Sequence, residues 1–151
     1  MIVVIDGPDG VGKTTVSQEL KERISKIHNA LLIEFPSKLA PRSHDLIREF
    51  LASNRMLDTS DSIMSLSRLE VEQAIVLQSL FLANRIELIP LLKEEDAKGT
   101  YVICSRYWQS GWVYGQIDGL DGDWLEAIQN VLPPAHLNIL LTATMDRDWE
   151  T

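Results

Sequence analysis

The stretch Ile2-Val3-Val4-Ile5-Asp6-Gly7-Pro8-Asp9-Gly10-Val11-Gly12-Lys13-Thr14-Thr15 decides the fold. The apolar run Ile2 to Ile5 reads as a strand that enters a glycine-spaced loop. Gly7 to Thr14 satisfies G-x-x-x-x-G-K-[ST] in full, and an amphipathic helix pattern follows at once. Glycines at these positions let the backbone curl, so that successive N–H groups point inward at anionic phosphate oxygens. Lys13 adds a positive charge for the β- and γ-phosphates, and the Thr14 hydroxyl is suited to ligate Mg²⁺. The expected site is one for a nucleoside triphosphate.

Composition narrows the setting. The chain has 151 residues, enough for one domain or part of one with a single core. Its 45% hydrophobic and 24% charged content is that of an ordinary globular protein. Cys104 is alone, which excludes a disulfide framework within the chain and fits a reducing cytosol. Its plainest reading is a small core residue in a strand. No apolar stretch of eighteen residues and no leader pattern are read, so the expectation is a cytoplasmic protein without a membrane partner. Net charge is −8, from 14 Lys and Arg against 22 Asp and Glu. That balance argues against a nucleic-acid surface, whereas small phosphates need only a few focused cations in a cleft.

Working outward, Val16, Leu20, Ile24 and Ile27 give one apolar stripe on a first helix ending near His28 and Asn29. Ala30 to Phe35 reads as a second strand, buried on both faces. Pro36 and Pro41 bound a loop, residues 42–54 form a short helix, and 56–61 form a polar connection. A long helix is expected from about Ser62 to Leu88, where Pro90 must break or restart it. Leu69, Gln73, Leu77, Phe81 and Arg85 recur every four residues and so share a face. A short helix, Leu91 to Lys98, stops at Gly99. Tyr101 to Ser105 and Leu137 to Thr142 read as the third and fourth strands, with a helix near Asp123 to Val131 before Pro133 and Pro134. This order implies an α/β fold with a parallel sheet flanked by helices. Ligands in such sheets sit at the carboxyl ends of strands, so the loops after Ile5, Phe35 and Ser105 should converge on one cleft.

Three further constellations fall at those strand ends or on the facing helix: Glu34-Phe35-Pro36-Ser37-Lys38 with Arg42, Phe81-Leu82-Ala83-Asn84-Arg85, and Ser105-Arg106-Tyr107 through Tyr114. Phe81 and Arg85 lie one helical turn apart, a pair able to stack a planar base and donate to its edge. Their spacing equally fits a core Phe beside a surface Arg. Arg106, directly after a strand, suits a phosphate clamp or a structural role.

Taken in order, these motifs resemble the thymidylate kinase family, a branch of the P-loop kinases. The carriers are the phosphate loop with Asp9, Phe35-Pro36, the Phe-x-Ala-Asn-Arg helix, and Arg106-Tyr107 followed by Ser110-Gly111. The resemblance implies a three-layer αβα P-loop NTPase fold, with ATP and Mg²⁺ as cofactors and a homodimer as the assembled form. Gly10, Val11, Gly12, Lys13, Thr14 and Thr15 would hold the ATP phosphates, with Lys13 between donor and acceptor. Asp9 would accept from the sugar 3′-hydroxyl, Phe81 would stack on the base and Arg85 would bind its edge. Arg106, with Lys38 or Arg42, would hold the acceptor phosphate, beside Phe35, Pro36, Ser110 and Gly111. Tyr114 would fill the space of a 2′-hydroxyl. The implied reaction is phosphoryl transfer from ATP to a deoxynucleoside monophosphate, with dTMP the expected acceptor.

Two departures stand out. The family carries Asp before Arg-Tyr, where it helps position Mg²⁺, and this chain has Ser105. The family pattern also continues past the fourth strand with a helix, an arginine-bearing lid, a fifth strand and a last helix, and members with Gly at the position of Gly10 take a transition-state arginine from that lid. Arg147 is the only arginine after Arg106. The expectation is therefore one domain over 1–151 lacking those last elements. A deoxynucleoside kinase, or a weakly active nucleotide-binding descendant, stays open as an alternative.

Overall fold

The computed structural model describes residues 1–54 and 69–143. Strand β1 (Ile2–Asp6) leads through the glycine loop into helix α1 (Lys13–Ser25), and β2 (Ala30–Glu34) follows. Helix α2 (Pro41–Asn54), α3 (Val71–Glu87) and α4 (Ile89–Ala97) precede β3 (Tyr101–Ser105). Helices α5 (Trp108–Ile117) and α6 (Gly122–Ile128), a 3₁₀ turn (Gln129–Val131) and β4 (Leu137–Leu140) complete the order. The four strands are parallel in the order β2-β3-β1-β4.

Register sorts the strand side chains onto two faces. Ile2 pairs with Val102, and Val4 and Ile33 both pair with Cys104. These residues, with Phe35, form one core with Leu88 of the α3–α4 junction, Leu92 of α4 and Tyr107. On the opposite face Ile5, Ser105 and Glu34 stand in register, on the side where α1 crosses the sheet. Ile2, Val3, Val4 and Ile5 are at most 4% exposed. Each such side chain contributes about 1.5–3 kcal/mol of transfer free energy. A second core lies away from the sheet, where Ile47 and Phe50 of α2 meet Leu77 and Phe81 of α3 and Leu125 of α6.

Several sequence expectations are corrected. The long helix begins at Val71, because Glu70 is extended (φ −62, ψ 155) and Gln73 Oε1 accepts from its N–H at 3.2 Å. Residues 55–68, which include the expected helix start at Ser62 and the 56–61 connection, lie outside the described residues. Strand β2 is not buried on both faces: only Ile33 is fully enclosed, because β2 is an edge strand. The α1 stripe is also looser than its periodicity suggests, with Val16 and Ile27 exposed and Ser17 fully buried instead. Taken as one run, Val71–Ala97 is long and apolar enough by length and composition to cross a bilayer, with mean hydropathy 1.5, where no such stretch was expected. About a third of that window is buried, and the run divides at Leu88, with Pro90 in the first turn of α4.

Asn84 ties the helical core to the sheet. Fully enclosed in α3, it accepts from Ser37 N at 2.6 Å and donates to Ser37 O at 3.0 Å and Ser43 Oγ at 3.0 Å. The loop after β2, which carries Lys38 and leads to Arg42, is thereby anchored to α3. Replacing Asn84 with Ala leaves the buried Ser37 N–H without its acceptor. Urea unfolding of Asn84→Ala should show a loss of about 2 kcal/mol.

Candidate active site

The loop after β1 works as a phosphate cradle for two stereochemical reasons. Gly12 caps α1 in the left-handed region at φ 99, where a side chain would be strained. Gly7 meets a different limit: a Cβ there would lie 2.6 Å from the Leu141 carbonyl oxygen. The unpaired N–H groups of the first α1 turn then face the cleft, with the positive end of the helix behind them. Thr14 and Thr15 are exposed at this end.

Lys13 differs from the solvated side chain expected of a loop lysine. It is 8% exposed and folds back so that Nζ donates to Gly7 O at 2.8 Å and Pro8 O at 2.7 Å. Burial, then the neighbouring Arg106 cation, lowers its pKa, against the pull of Asp9 and Asp6. An anionic phosphate offers this ammonium a stronger acceptor than either carbonyl.

Across the cleft stands Arg106, the only non-glycine residue at positive φ (66) among the described residues. Its N–H donates to Ile5 O at 2.9 Å, which fixes the backbone where β1 and β3 end. Its side chain pairs with Asp9, donates to Ser110 Oγ at 3.0 Å and lies 3.9 Å from Asp6 Oδ1. Ser110 in turn donates to Asp6, at 3.1 Å from each carboxylate oxygen, and Gly7 N donates to Asp6 Oδ1 at 2.8 Å. Tyr114 donates its phenol proton to Asp9 at 2.9 Å, while the Arg106 guanidinium lies 5.8 Å from its ring centroid. Burial first, and that bond second, raise the Tyr114 pKa, so the phenol stays a donor at neutral pH. Asp6 and Asp9 are thus both engaged by the polypeptide.

Asp9, Gly10, Gly12, Lys13, Thr14, Glu34, Phe35, Ser105 and Arg106 line one cleft of about 380 Å³. Phe35 is largely core, tilted on Tyr107 at 5.6 Å between ring centroids. Pro36, Lys38 and Arg42 are exposed on the adjoining loop and helix. Phe81, Arg85 and Gly111 do not line this cleft themselves but are held together next to Ser110, which bonds Arg106 and Asp6: the Arg85 guanidinium lies 6.0 Å from the Phe81 ring centroid, and Gly111 abuts both of its terminal nitrogens. Arg85 is buried, contrary to the surface placement its spacing also allowed.

Four residues of this region were given no individual role from the sequence, although Glu34 and Asn84 stood inside its motifs. Asn84 and Gln78 are polar positions on the inner face of an apolar helix, a signal that the four-residue spacing through Phe81 and Arg85 passed over. Gln129 lies in a 3₁₀ turn with no motif around it. Glu34 stands in register with Ser105, a pairing visible only once β2 and β3 are aligned.

Comparison with known proteins agrees with this architecture. The family profile described as Thymidylate kinase matches residues 5–147. The thymidylate kinase of Schizosaccharomyces pombe is 31% identical over 144 residues, covering 93% of this chain and 60% of that protein. A probable thymidylate kinase from Pyrococcus horikoshii is 32% identical, covering 92% of this chain and 63% of its own length. The crystal structure of the Ehrlichia chaffeensis thymidylate kinase superposes with a TM-score of 0.71 at 22% identity, over 93% of this chain and 74% of that one. The thymidylate kinase of Candida albicans gives 0.66 at 26% identity, over 95% and 63%. The chain thus spans about three fifths of the length of the first curated relatives it matches. With a P-loop α/β sheet, the ordered motifs and a profile match over nearly its whole extent, the chain belongs to the thymidylate kinase family.

Proposed function

We propose that this chain transfers the γ-phosphoryl group of ATP to a deoxynucleoside monophosphate, with dTMP converted to dTDP. The observation that carries the reading is the opposition, across one cleft, of the Lys13–Thr14 cradle and the Arg106–Asp9 pair. The bond from the γ-phosphorus to the β,γ-bridging oxygen breaks as a monophosphate oxygen bonds to that phosphorus. A monophosphate is largely dianionic at neutral pH, because its second pKa is about 6. Its oxygen therefore attacks without a general base, which fits a cleft lined by cations and carboxylates with no histidine. Catalysis is then positioning and charge neutralisation.

In this reading the amides of Gly10 to Thr15 hold the donor phosphates and Lys13 spans donor and acceptor. Arg106 exchanges part of its contact with Asp9 for the acceptor phosphate, assisted by Lys38 or Arg42. Asp9 and Tyr114 face the sugar, at the 3′- and 2′-positions. Phe81 stacks the base. Mg²⁺, when bound with ATP, would neutralise charge on the phosphates. The cleft fits it through hard oxygen donors: the Thr14 hydroxyl, the Ser105 hydroxyl and the Glu34 carboxylate, which has no hydrogen bond or ion pair among the described residues. A hydroxyl at 105 holds such an ion less firmly than a carboxylate.

The test is a coupled assay of ADP formation from ATP with each deoxynucleoside monophosphate. The expected outcome is fastest turnover with dTMP and a loss of at least about a hundredfold in Lys13→Ala, the scale on which removing one preorganised charge acts. Turnover of thymidine but not dTMP would replace the reading with a nucleoside kinase. ATP binding without any turnover would replace it with a nucleotide-binding role.

Two dependent expectations follow from the same surfaces. Gly7→Ala should weaken ADP binding in calorimetry and lower stability by about 1–3 kcal/mol, because its Cβ meets the Leu141 carbonyl. The outer face of α3 exposes Val71, Ile75 and Ile86 along one side, with Val76 about 100° further round the helix, an apolar surface suited to a second copy of the chain. Sedimentation should show a dimer that Ile75→Lys with Val76→Glu converts to monomer. A monomeric parent protein would remove the homodimer from the reading. The cytoplasmic placement is part of the same proposal.

A further inference from the structure

Glu34 is the uncommitted carboxylate of the cleft. Of the two acids that line it, Asp9 is held by Arg106 and Tyr114, while Glu34 has no hydrogen bond or ion pair among the described residues. Its side chain is exposed, but its place at the end of β2 is fixed. Glu34 pairs with Ser105 across the parallel ladder, and Phe35 N donates to Ser105 O at 3.0 Å just beyond it. Paired positions on neighbouring parallel strands point to the same face, with the strands about 4.8 Å apart. Ser105 is a second unanswered group. It is 6% exposed, lines the same cleft, and its hydroxyl has no hydrogen bond among the described residues. Buried hydroxyls are seldom left unpaired, so the group that completes this one belongs in the cleft.

Charge identifies that group. Lys13 and Arg106 are balanced by Asp9 and Glu34, so the lining side chains bring no net positive charge to a polyphosphate. A free carboxylate facing an anion cradle repels the group the cradle holds, unless a cation lies between them. The uncommitted donors are all oxygens: the Glu34 carboxylate and the Ser105 and Thr14 hydroxyls. Mg²⁺ takes such hard donors, with one or two carboxylates completing a shell that substrate phosphates and waters supply. No group of three or more His, Cys, Asp or Glu suited to a metal stands among the described residues. That fits an ion that arrives with its nucleotide, as opposed to one enclosed by protein ligands alone.

We propose that Glu34 is the metal-directed carboxylate of this chain, set one strand over from position 105, where the family carries Asp and this chain has only a hydroxyl. The displacement calls for a longer side chain, and the extra methylene of Glu recovers part of the lateral offset between β2 and β3. This rests on the kinase reading and deepens it: positions 34 and 105 are interchangeable seats for one negative charge.

The experiment is calorimetry of the full chain with β,γ-methylene ATP, once with Mg²⁺ and once with EDTA. The proteins are the parent, Glu34→Gln, and the double variant Glu34→Gln with Ser105→Asp. Glu34→Gln should bind the magnesium complex about tenfold or more weakly, the scale on which residues supporting a bound metal act. With EDTA its affinity should equal or exceed the parent's, because a charge that repels the phosphates is gone. The double variant should regain most of the lost magnesium affinity, the non-additivity that a shared role produces. Glu34→Gln should fold as the parent does, since the side chain is exposed and makes no bond. Should the double variant fail to fold at the buried position 105, the contrast between Mg²⁺ and EDTA for Glu34→Gln decides alone. Parent-like magnesium affinity in Glu34→Gln, equal losses with Mg²⁺ and with EDTA, or a folded double variant no better than Glu34→Gln would overturn the role of Glu34 while leaving the kinase reading intact. So would a parent protein whose affinity is the same in both conditions. A parent protein that binds the analogue in neither condition would overturn both.

Discussion

Parallel pairing of β1 with β3 brings Ile5 opposite Ser105, so both strands end at the same height. Two chain segments that leave a sheet side by side must diverge at once, and here they diverge into the glycine loop and into Arg106. The Arg106 N–H on Ile5 O closes the last rung of the ladder. Its positive φ then turns the side chain back over the loop, to Asp9 and Asp6. Strain at one residue is held by four polar partners and by the sheet itself. Without this rung, the cation that faces the cradle and the cradle's own carboxylates would have no common frame.

The helical half depends on a different device. Apolar contacts among α2, α3 and α6 set its volume but specify no register, because hydrophobic burial is non-directional. Asn84 supplies direction, since its amide both donates to and accepts from the loop after β2. Lys38 and Arg42 reach the neighbourhood of the cleft through that anchor. At the next position of the same helix, Arg85 is carried into the interior with no ion pair to a carboxylate among the described residues. The molecule thus has a satisfied polar node next to an unsatisfied one, both in the predominantly apolar helix α3.

Legibility followed the range of the interactions involved. The strand, glycine loop and helix of residues 2–25 were plain in the sequence, because the apolar run, the glycine spacing and the helical period are all local. The parallel sheet followed from alternation of strand and helix. The start of α3 was misplaced because apolar periodicity continues through Leu69, while a backbone cap at Glu70 ends it. Burial of Lys13 leaves no mark in the sequence for a related reason: its partners are carbonyls of its own loop, and a carbonyl has no sequence signature.

Residue order carried the anion cradle, the strand-helix alternation and the aromatic-guanidinium spacing, since each arises from neighbours within a few bonds or one helical turn. Folding settled matters of long range: that Glu34 stands beside Ser105, that Asp9 is held by Arg106 and Tyr114, and that Gln78, Arg85, Gly111 and Gln129 surround one place. Those juxtapositions come from strand register and helix packing, which join residues dozens of positions apart. Pairing partners at such separations leave no trace in local pattern, so only the folded chain brings them into view.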